Sequence, residues 1–176
     1  DVYEQTGNLR DYIASAVYGG RVHANQTYVK QVVEQKIADY DGVSLYPSAI
    51  NRLCREYGLP TGKCIKINTD EVKQFDDLKD NEYAILSIKI TKVNKKQSMP
   101  FIAEKTTDAL NYSNDVPKDI IHIDSYTLGD YIKFHDIEYE IVQGVVWSDR
   151  NKNKKMGELI ATLFKKRLEN KKSNPA

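Results

Sequence analysis

The sequence has few cysteines and no long apolar run. Cys54 and Cys64 are too few for a disulfide framework, and they lack Cys or His partners at the spacing of a zinc site. No stretch approaches the roughly 18 apolar residues of a membrane helix, and residues 1–4 lack the profile of a secretory signal. These absences exclude a membrane protein and a disulfide scaffold, and predict a soluble protein with free thiols in a reducing compartment.

A nearly neutral net charge hides a basic C-terminal segment. The chain has 26 Lys+Arg against 25 Asp+Glu, yet residues 150–172 hold nine basic residues and only two acidic ones, Glu158 and Glu169. Such a cluster is typical of a surface that faces phosphate. Exposed lysine-rich helices that bind nothing are at least as common. Charge alone therefore leaves both interpretations open.

The first 60 residues have the pattern of short helices, strands and turns. The pattern predicts a helix over 9–16, a break at Gly19-Gly20 and a strand over 36–43. A turn at 44–47 then leads into a helix over 49–57, which Gly58 closes. Pro47 suits the first helical turn, where its missing N–H does no harm.

Alternation of apolar and polar residues dominates residues 62–146. It is clearest over 86–90 and 137–141, which predicts half-buried strands with Ser87 and Lys89 facing outward. A polar, mobile stretch is expected over 106–118. A short helix is expected over 127–135, with Asp124 and Ser125 available as caps. The predicted fold class is α+β.

The last segment has the periodicity of an amphipathic helix. Its apolar positions fall within one broad stripe, which predicts a packed face: Met156, Leu159, Ile160, Leu163, Phe164 and Leu168. Arg167 and Lys171 lie in the middle of that stripe, one turn apart. Either these cations extend past the core to water, or the stripe continues into a cleft where they meet an anion such as a polyphosphate.

The segment 39–48, DYDGVSLYPS, combines a carboxylate at a strand end with a turn and a helix start. Asp41 offers hard oxygen ligands to Mg²⁺, and the N–H groups of Ser44, Leu45 and Tyr46 at the helix N-terminus can hold phosphate oxygens. Spacing alone favours a plainer interpretation, a structural corner with a surface aspartate and a core tyrosine.

Residues 41–48 resemble motif A, D-x-x-S-L-Y-P-S, of the family B DNA polymerases. Residues 163–172, LFKKRLENKK, resemble the first fingers helix of that family, in which an Arg and a Lys one turn apart hold the incoming triphosphate. Residues 18–21, YGGR, resemble the motif that joins the exonuclease and polymerase domains. That match is imperfect, because Val17 stands where the family pattern has a tyrosine.

The long interval between motif A and the fingers helix resembles the protein-primed subgroup, which carries an insertion there that contacts a terminal priming protein. The resemblance implies a partial palm with the linker motif and motif A over 1–60. It implies a strand-rich insertion and return to the palm over 61–147, and the basic start of a fingers helix over 148–176. It also implies a cytoplasmic enzyme, encoded by a phage, virus or plasmid and acting in the host cell.

The resemblance assigns roles to individual residues. Asp41 is implied as the catalytic residue, with Asp41 and Gly42 as ligands of Mg²⁺ or Mn²⁺. The implied nucleotide-binding residues are Ser44, Leu45, Tyr46, Arg167 and Lys171, and Tyr46 would exclude ribonucleotides. The implied DNA-binding residues are Tyr18, Gly19, Gly20 and Arg21. The implied partners are the DNA template-primer, a dNTP, a terminal protein and the remainder of the polymerase chain, with no membrane.

The family's motifs B and C and its exonuclease motifs are missing from the 176 residues. Two-metal nucleotidyl transfer needs a second set of carboxylates. We therefore expect a fragment that is inactive by itself. The alternative is a stand-alone binding module that uses its basic helix and twelve tyrosines on nucleic acid or a protein partner.

Overall fold

A computed structural model describes residues 8–20, 28, 30–42, 44–80, 82–105 and 110–173, except for the side chains of 171–173. In chain order the helices and strands are α1 (Asn8–Ser15), α2 (Leu45–Arg52), β1 (Leu59–Pro60), β2 (Ile65–Lys66), β3 (Tyr83–Val93), β4 (Ile102–Lys105), β5 (Leu110–Ser113), β6 (Ile121–Asp124), α3 (Ser125–His135), β7 (Ile137–Trp147), β8 (Arg150–Asn151) and α4 (Lys154–Ser173). The predicted α+β class is confirmed.

The chain divides into two compact units. The sheet unit comprises residues 1–24 and 62–149, and the helix-pair unit comprises residues 25–61 and 150–176. Within the part of the chain that is described, no helix is both long enough and apolar enough to cross a bilayer.

The sheet unit is built on a four-stranded antiparallel sheet in the order β2-β7-β3-β6. A separate hairpin pairs β4 with β5. On one face, Leu86 and Ile88 of β3 pack with Leu128 and Tyr131 of α3. On the other face, Ile85 of β3 belongs to a second apolar cluster, which includes α1. Both faces of the central strand are therefore covered.

Because both faces of β3 are covered, one expectation from the alternation pattern is wrong. Ser87 was expected to face water, yet it is fully buried. Its Oγ lies 3.0 Å from the Tyr12 hydroxyl of α1 and 2.8 Å from Nδ1 of His122. A short polar side chain at an outward position is compatible with burial when a second layer supplies hydrogen-bond partners.

Local capping explains where α3 begins and ends. Asp124 Oδ1 accepts hydrogen bonds from the N–H groups of Tyr126 and Thr127 at 2.8 and 3.0 Å, so the predicted cap is confirmed. The helix starts at Ser125, two residues before the expected position. It ends where Asp136 adopts a left-handed conformation with φ of 50°.

The stretch 106–118 was expected to be polar and mobile, and this expectation is wrong for part of it. Residues 110–113 form β5, in which Leu110 pairs with Lys105 and Ser113 pairs with Ile102. The pairing partner lies earlier in the chain, so local composition gave no sign of it. Residues 106–109 lie outside the described part.

In the helix-pair unit, α2 continues into a π-helical turn over Leu53–Tyr57, and Gly58 ends it with φ of 85°. Cys54 is fully buried there, and its carbonyl accepts a hydrogen bond from Asn153 N–H at 2.8 Å. Strands β1 and β8 form a two-residue antiparallel pair beside this turn. Both cysteines are free thiols, as predicted.

The strand expected over 36–43 does not form over the described residues 36–42, and Val43 lies outside the described part. Residues 36–42 are irregular, and their large apolar side chains face solvent: Ile37 is 73% exposed and Tyr40 is 91% exposed. A β-strand needs a neighbour to receive its backbone hydrogen bonds. No described strand pairs with this segment, which explains the difference.

The apolar stripe of α4 is mostly exposed instead of packed. Leu159 is 52% exposed and Leu163 is 54% exposed, while only Gly157 of the helix is buried among the residues whose side chains are described. The periodicity correctly predicted the helix. It did not predict how much of the face would be covered within this chain.

Candidate functional site

The corner between residues 41 and 48 places backbone and side-chain polar groups at the start of α2. Asp41 and Gly42 are exposed and lie in an irregular segment, and Val43 is outside the described residues. The Gly42 carbonyl accepts a hydrogen bond from Leu45 N–H at 3.2 Å. Leu45 N–H was expected to be unpaired and available to phosphate, so that expectation needs correction.

The other two amide groups differ from that of Leu45. In the described part of the chain, Ser44 and Tyr46 donate no backbone hydrogen bond to another residue, whereas Ser48 N–H donates to the Ser44 carbonyl at 3.0 Å. Pro47 has no N–H to offer. Among the described residues the N–H groups of Ser44 and Tyr46 therefore have no backbone acceptor at the positive end of α2, a position that suits an anionic ligand.

Ser44 has an uncommon backbone conformation for a residue with a Cβ. Its φ of 53° and ψ of 43° are left-handed, and its side chain forms no capping hydrogen bond. Such a conformation costs about 1 kcal/mol or more in a non-glycine residue, and strained residues of this kind cluster at functional sites. The outlier therefore marks this corner as a candidate site.

The side chains that follow Ser44 are open to solvent. Leu45 is 65% exposed and Tyr46 is 74% exposed. The interpretation of Tyr46 as a core tyrosine is therefore wrong within this chain. Its ring is accessible beside the amide groups at the start of α2.

Helix α4 packs against α2 and the π-helical turn. Asn153 N–H donates a hydrogen bond to the Cys54 carbonyl at 2.8 Å. A Cβ at Gly157 would lie 3.0 Å from both Arg55 Nε and Asn51 Oδ1. The absence of a side chain at Gly157 therefore lets the two helices approach closely.

The two cations expected to hold a triphosphate both lie in α4. Arg167 is exposed. Lys171 is four residues further on, about 6 Å along the helix, and its side chain is outside the described part.

The motif at residues 18–21 belongs to the sheet unit. Tyr18 is half-buried, and burial raises the pKa of its phenol. The Gly19 carbonyl accepts a hydrogen bond from the Tyr112 hydroxyl at 3.3 Å. Gly20 is exposed, and Arg21 lies outside the described residues. The candidate residues are thus distributed over two units, with Tyr18 and Gly19 in one and Asp41, Tyr46 and Arg167 in the other.

The described residues contain no group of three or more His, Cys, Asp or Glu side chains that could hold a metal ion. The donors at the corner are the Asp41 carboxylate and the Gly42 carbonyl, which has two lone pairs and accepts one backbone hydrogen bond from the described residues. Both are hard oxygen donors. Mg²⁺ is often bound through one or two carboxylates, with water and substrate phosphates completing its shell, so this small set fits a partial magnesium site.

Sequence reasoning missed a cavity of about 290 Å³ in the sheet unit, beside Tyr18 and Gly19. Its walls include Tyr112 of β5 and Asp130 and Tyr131 of α3. No single motif contains these residues, because they come from separate elements. Only the folded arrangement brings them together.

A comparison with protein families places the whole chain in one of them. The family model described as DNA polymerase type B, organellar and viral, matches residues 1–176. The chain belongs to this family. No curated protein and no solved structure matches it. Membership in the type B DNA polymerases gives the chain a function in DNA synthesis, and the class of enzyme is a nucleotidyltransferase.

Proposed function

We propose that this chain supplies the motif A part of the deoxynucleotide site of a protein-primed type B DNA polymerase. The observation that carries the proposal is the exposed corner at the start of α2. There Asp41 precedes a left-handed Ser44 and an accessible Tyr46. In template-directed synthesis the primer 3′-hydroxyl attacks the α-phosphate of the nucleotide, and positive groups stabilise the charge that develops.

Asp41 is the proposed catalytic residue. Asp41 and Gly42 would hold Mg²⁺ or Mn²⁺, which when bound supplies charge neutralisation at the reacting phosphate. The supporting observations are the exposure of Asp41 and the Gly42 carbonyl, which accepts only one backbone hydrogen bond from the described residues. Because one carboxylate and one carbonyl make only a partial donor set, we propose that the chain is inactive without the motifs B and C of the family.

Nucleotide binding is proposed to involve both helices of the helix-pair unit. The N–H groups of Ser44 and Tyr46, which have no backbone acceptor among the described residues, would face phosphate oxygens. The Leu45 N–H would hold the turn through its bond to the Gly42 carbonyl. The Tyr46 ring would lie under the deoxyribose and exclude a 2′-hydroxyl by contact. Arg167 and Lys171, about 6 Å apart along α4, would hold the triphosphate.

The remaining assignments concern DNA and the priming protein. We propose that Tyr18, Gly19, Gly20 and Arg21 contact the template-primer, and that the strand-rich region 61–147 contains the insertion that meets a terminal protein. The antiparallel sheet and the β4–β5 hairpin support a separately folded insertion. The basic α4 supports the start of a fingers helix.

A dNTP titration of the ¹⁵N-labelled chain in Mg²⁺, followed by NMR shifts, tests the proposal. We expect saturable shifts at residues 44–46 and an affinity loss of about tenfold in Asp41→Ala and in Arg167→Ala, typical of a lost bond to a charged group. Asp39→Ala and Lys165→Ala are the matched controls, because both residues are exposed. Equal losses in the control variants, or no shift at residues 44–46, contradict the proposal.

A further inference from the structure

The cavity in the sheet unit is lined by aromatic rings and acids. Its principal side chains are Tyr18, Phe101, Tyr112, Tyr131, Asp124 and Asp130. No Lys, Arg or His is among the described residues that line it. A volume of about 290 Å³ is close to the lower limit of ligand pockets, which suits a group of side-chain size.

The aromatic walls are held in place by their own contacts. Phe101 stacks on Phe134 with ring centroids 5.1 Å apart. Tyr112 donates its hydroxyl proton to the Gly19 carbonyl at 3.3 Å, which leaves its oxygen lone pairs toward other donors. A ligand therefore meets rings that are already positioned, and less conformational entropy is lost on binding.

Tyr131 contributes a buried hydroxyl that is only partly satisfied. The residue is 2% exposed, and its oxygen accepts a hydrogen bond from Ala103 N–H at 2.9 Å. Its own proton is donated to no acceptor among the described residues. Buried polar hydrogens normally have an acceptor. Tyr131 thus offers the cavity one hydrogen-bond donor.

The two carboxylates of the cavity differ in their hydrogen-bond partners. Asp124 accepts hydrogen bonds from Tyr126 N–H and from the N–H and hydroxyl of Thr127, so it is fixed as the cap of α3. Asp130 is exposed and forms no hydrogen bond or ion pair with a described residue. It lies three residues after Thr127, on the same face of α3. Asp130 is therefore the carboxylate available to a ligand.

We propose that this cavity binds a guanidinium group. A planar guanidinium stacks on aromatic faces and presents five N–H donors, which the Asp130 carboxylate and the Tyr112 oxygen can accept. A carbonyl attached to the ligand would accept the Tyr131 proton. The two carboxylates disfavour phosphate, since the described residues of the lining include no cation to offset them. The assignment is independent of the nucleotide site, because Asp41, Tyr46 and Arg167 do not line the cavity.

The guanidinium belongs either to an arginine side chain of a protein partner or to a free small molecule, and the probes distinguish these sources. N-acetyl-arginine amide and its neutral isostere N-acetyl-citrulline amide are titrated into the whole ¹⁵N-labelled chain up to about 10 mM, within the affinity range of one ion pair and one ring contact. We expect saturable shifts around Tyr112 and Tyr131 with the arginine probe, and binding at least roughly tenfold weaker with the citrulline probe.

A five-residue peptide with arginine at its centre is the second arm. Binding about tenfold tighter than that of the amide supports a protein partner, because neighbouring residues add contacts. Equal binding of peptide and amide supports a free guanidinium compound. Absence of saturable binding by both probes overturns the proposal.

Charge variants test the residue assignment. Asp130→Asn keeps the size of an exposed side chain and is expected to weaken the arginine probe by about tenfold. Asp80→Asn makes the same charge change at an exposed residue that does not line the cavity, and is expected to leave binding unchanged. Circular dichroism verifies that both variants fold. Equal affinity of Asp130→Asn and the unsubstituted chain, or equal binding of the arginine and citrulline probes, overturns the assignment.

Discussion

Gly144 of β7 has no room for a side chain. A Cβ there would lie 2.7 Å from Leu86 Cδ2, 2.8 Å from Ile67 Cδ1 and 2.9 Å from the Ile85 carbonyl oxygen. The two methyl groups belong to buried residues, so they can move only into a packed core. The carbonyl oxygen is held by the pairing of Ile85 with Val145. All three contacts therefore oppose Gly144→Ala.

The expected cost follows from these contacts. Overpacking a core costs about 1–3 kcal/mol. Because one of the three close atoms is a backbone oxygen, which cannot move aside easily, we expect the upper end of this range, about 3 kcal/mol. Replacing glycine with alanine also restricts the unfolded chain, which offsets about 0.4–1 kcal/mol. We expect a net loss of about 2 kcal/mol in the free energy of unfolding of the sheet unit.

Urea unfolding followed by the fluorescence of Trp147 measures this loss, because the one tryptophan of the chain is buried in the sheet unit. With a slope of about 2 kcal/mol/M, the midpoint should fall by about 1 M. Gly19→Ala is the matched control, since a Cβ at Gly19 has no neighbour within 4 Å. A midpoint for Gly144→Ala that equals that of Gly19→Ala would refute the packing argument.

Three further predictions concern stability, pH and substrate choice. His135→Leu should lower stability by about 2–4 kcal/mol in thermal unfolding, because it removes the ring that accepts from Phe101 N–H and contacts the Lys95 carbonyl, both at 3.0 Å. Burial lowers the pKa of His122 below 6.5, so the folded state binds fewer protons than the unfolded state. The stability that the neutral form of His122 contributes is therefore complete above pH 6.5 and is lost as the pH falls through the folded pKa. His122→Gln should flatten this pH dependence in unfolding curves measured at successive pH values. In the complete polymerase, Tyr46→Ala should increase ribonucleotide incorporation in primer extension, and unchanged selectivity would count against its proposed contact with the sugar.

The candidate site was predictable to the extent that it is local in sequence. The order of Asp41, the turn and the helix start is encoded within ten residues, and the motif resemblance depends on it. The left-handed conformation of Ser44 and the bond from Leu45 N–H to the Gly42 carbonyl were not predictable. They depend on how the chain approaches α2, which composition does not specify.

Two differences from expectation concern partners that the sequence does not name. Ser87 was expected outside because alternation describes one covered face, and α1 covers the second. A strand was expected over residues 36–43, but the described residues 36–42 have no neighbouring strand to pair with. In both cases the missing information was the identity of the partner.

The sequence by itself determined the α+β class, the existence of the strands β3 and β7 and of the helix α4, the Asp124 cap and the family. These features depend on periodicity, local hydrogen bonds and short motifs. The tertiary structure alone decided the burial of Ser87, the pairing of β4 with β5, the exposure of Tyr46 and the cavity beside Tyr18. Each of these depends on contacts between residues far apart in the chain, which a local pattern does not encode.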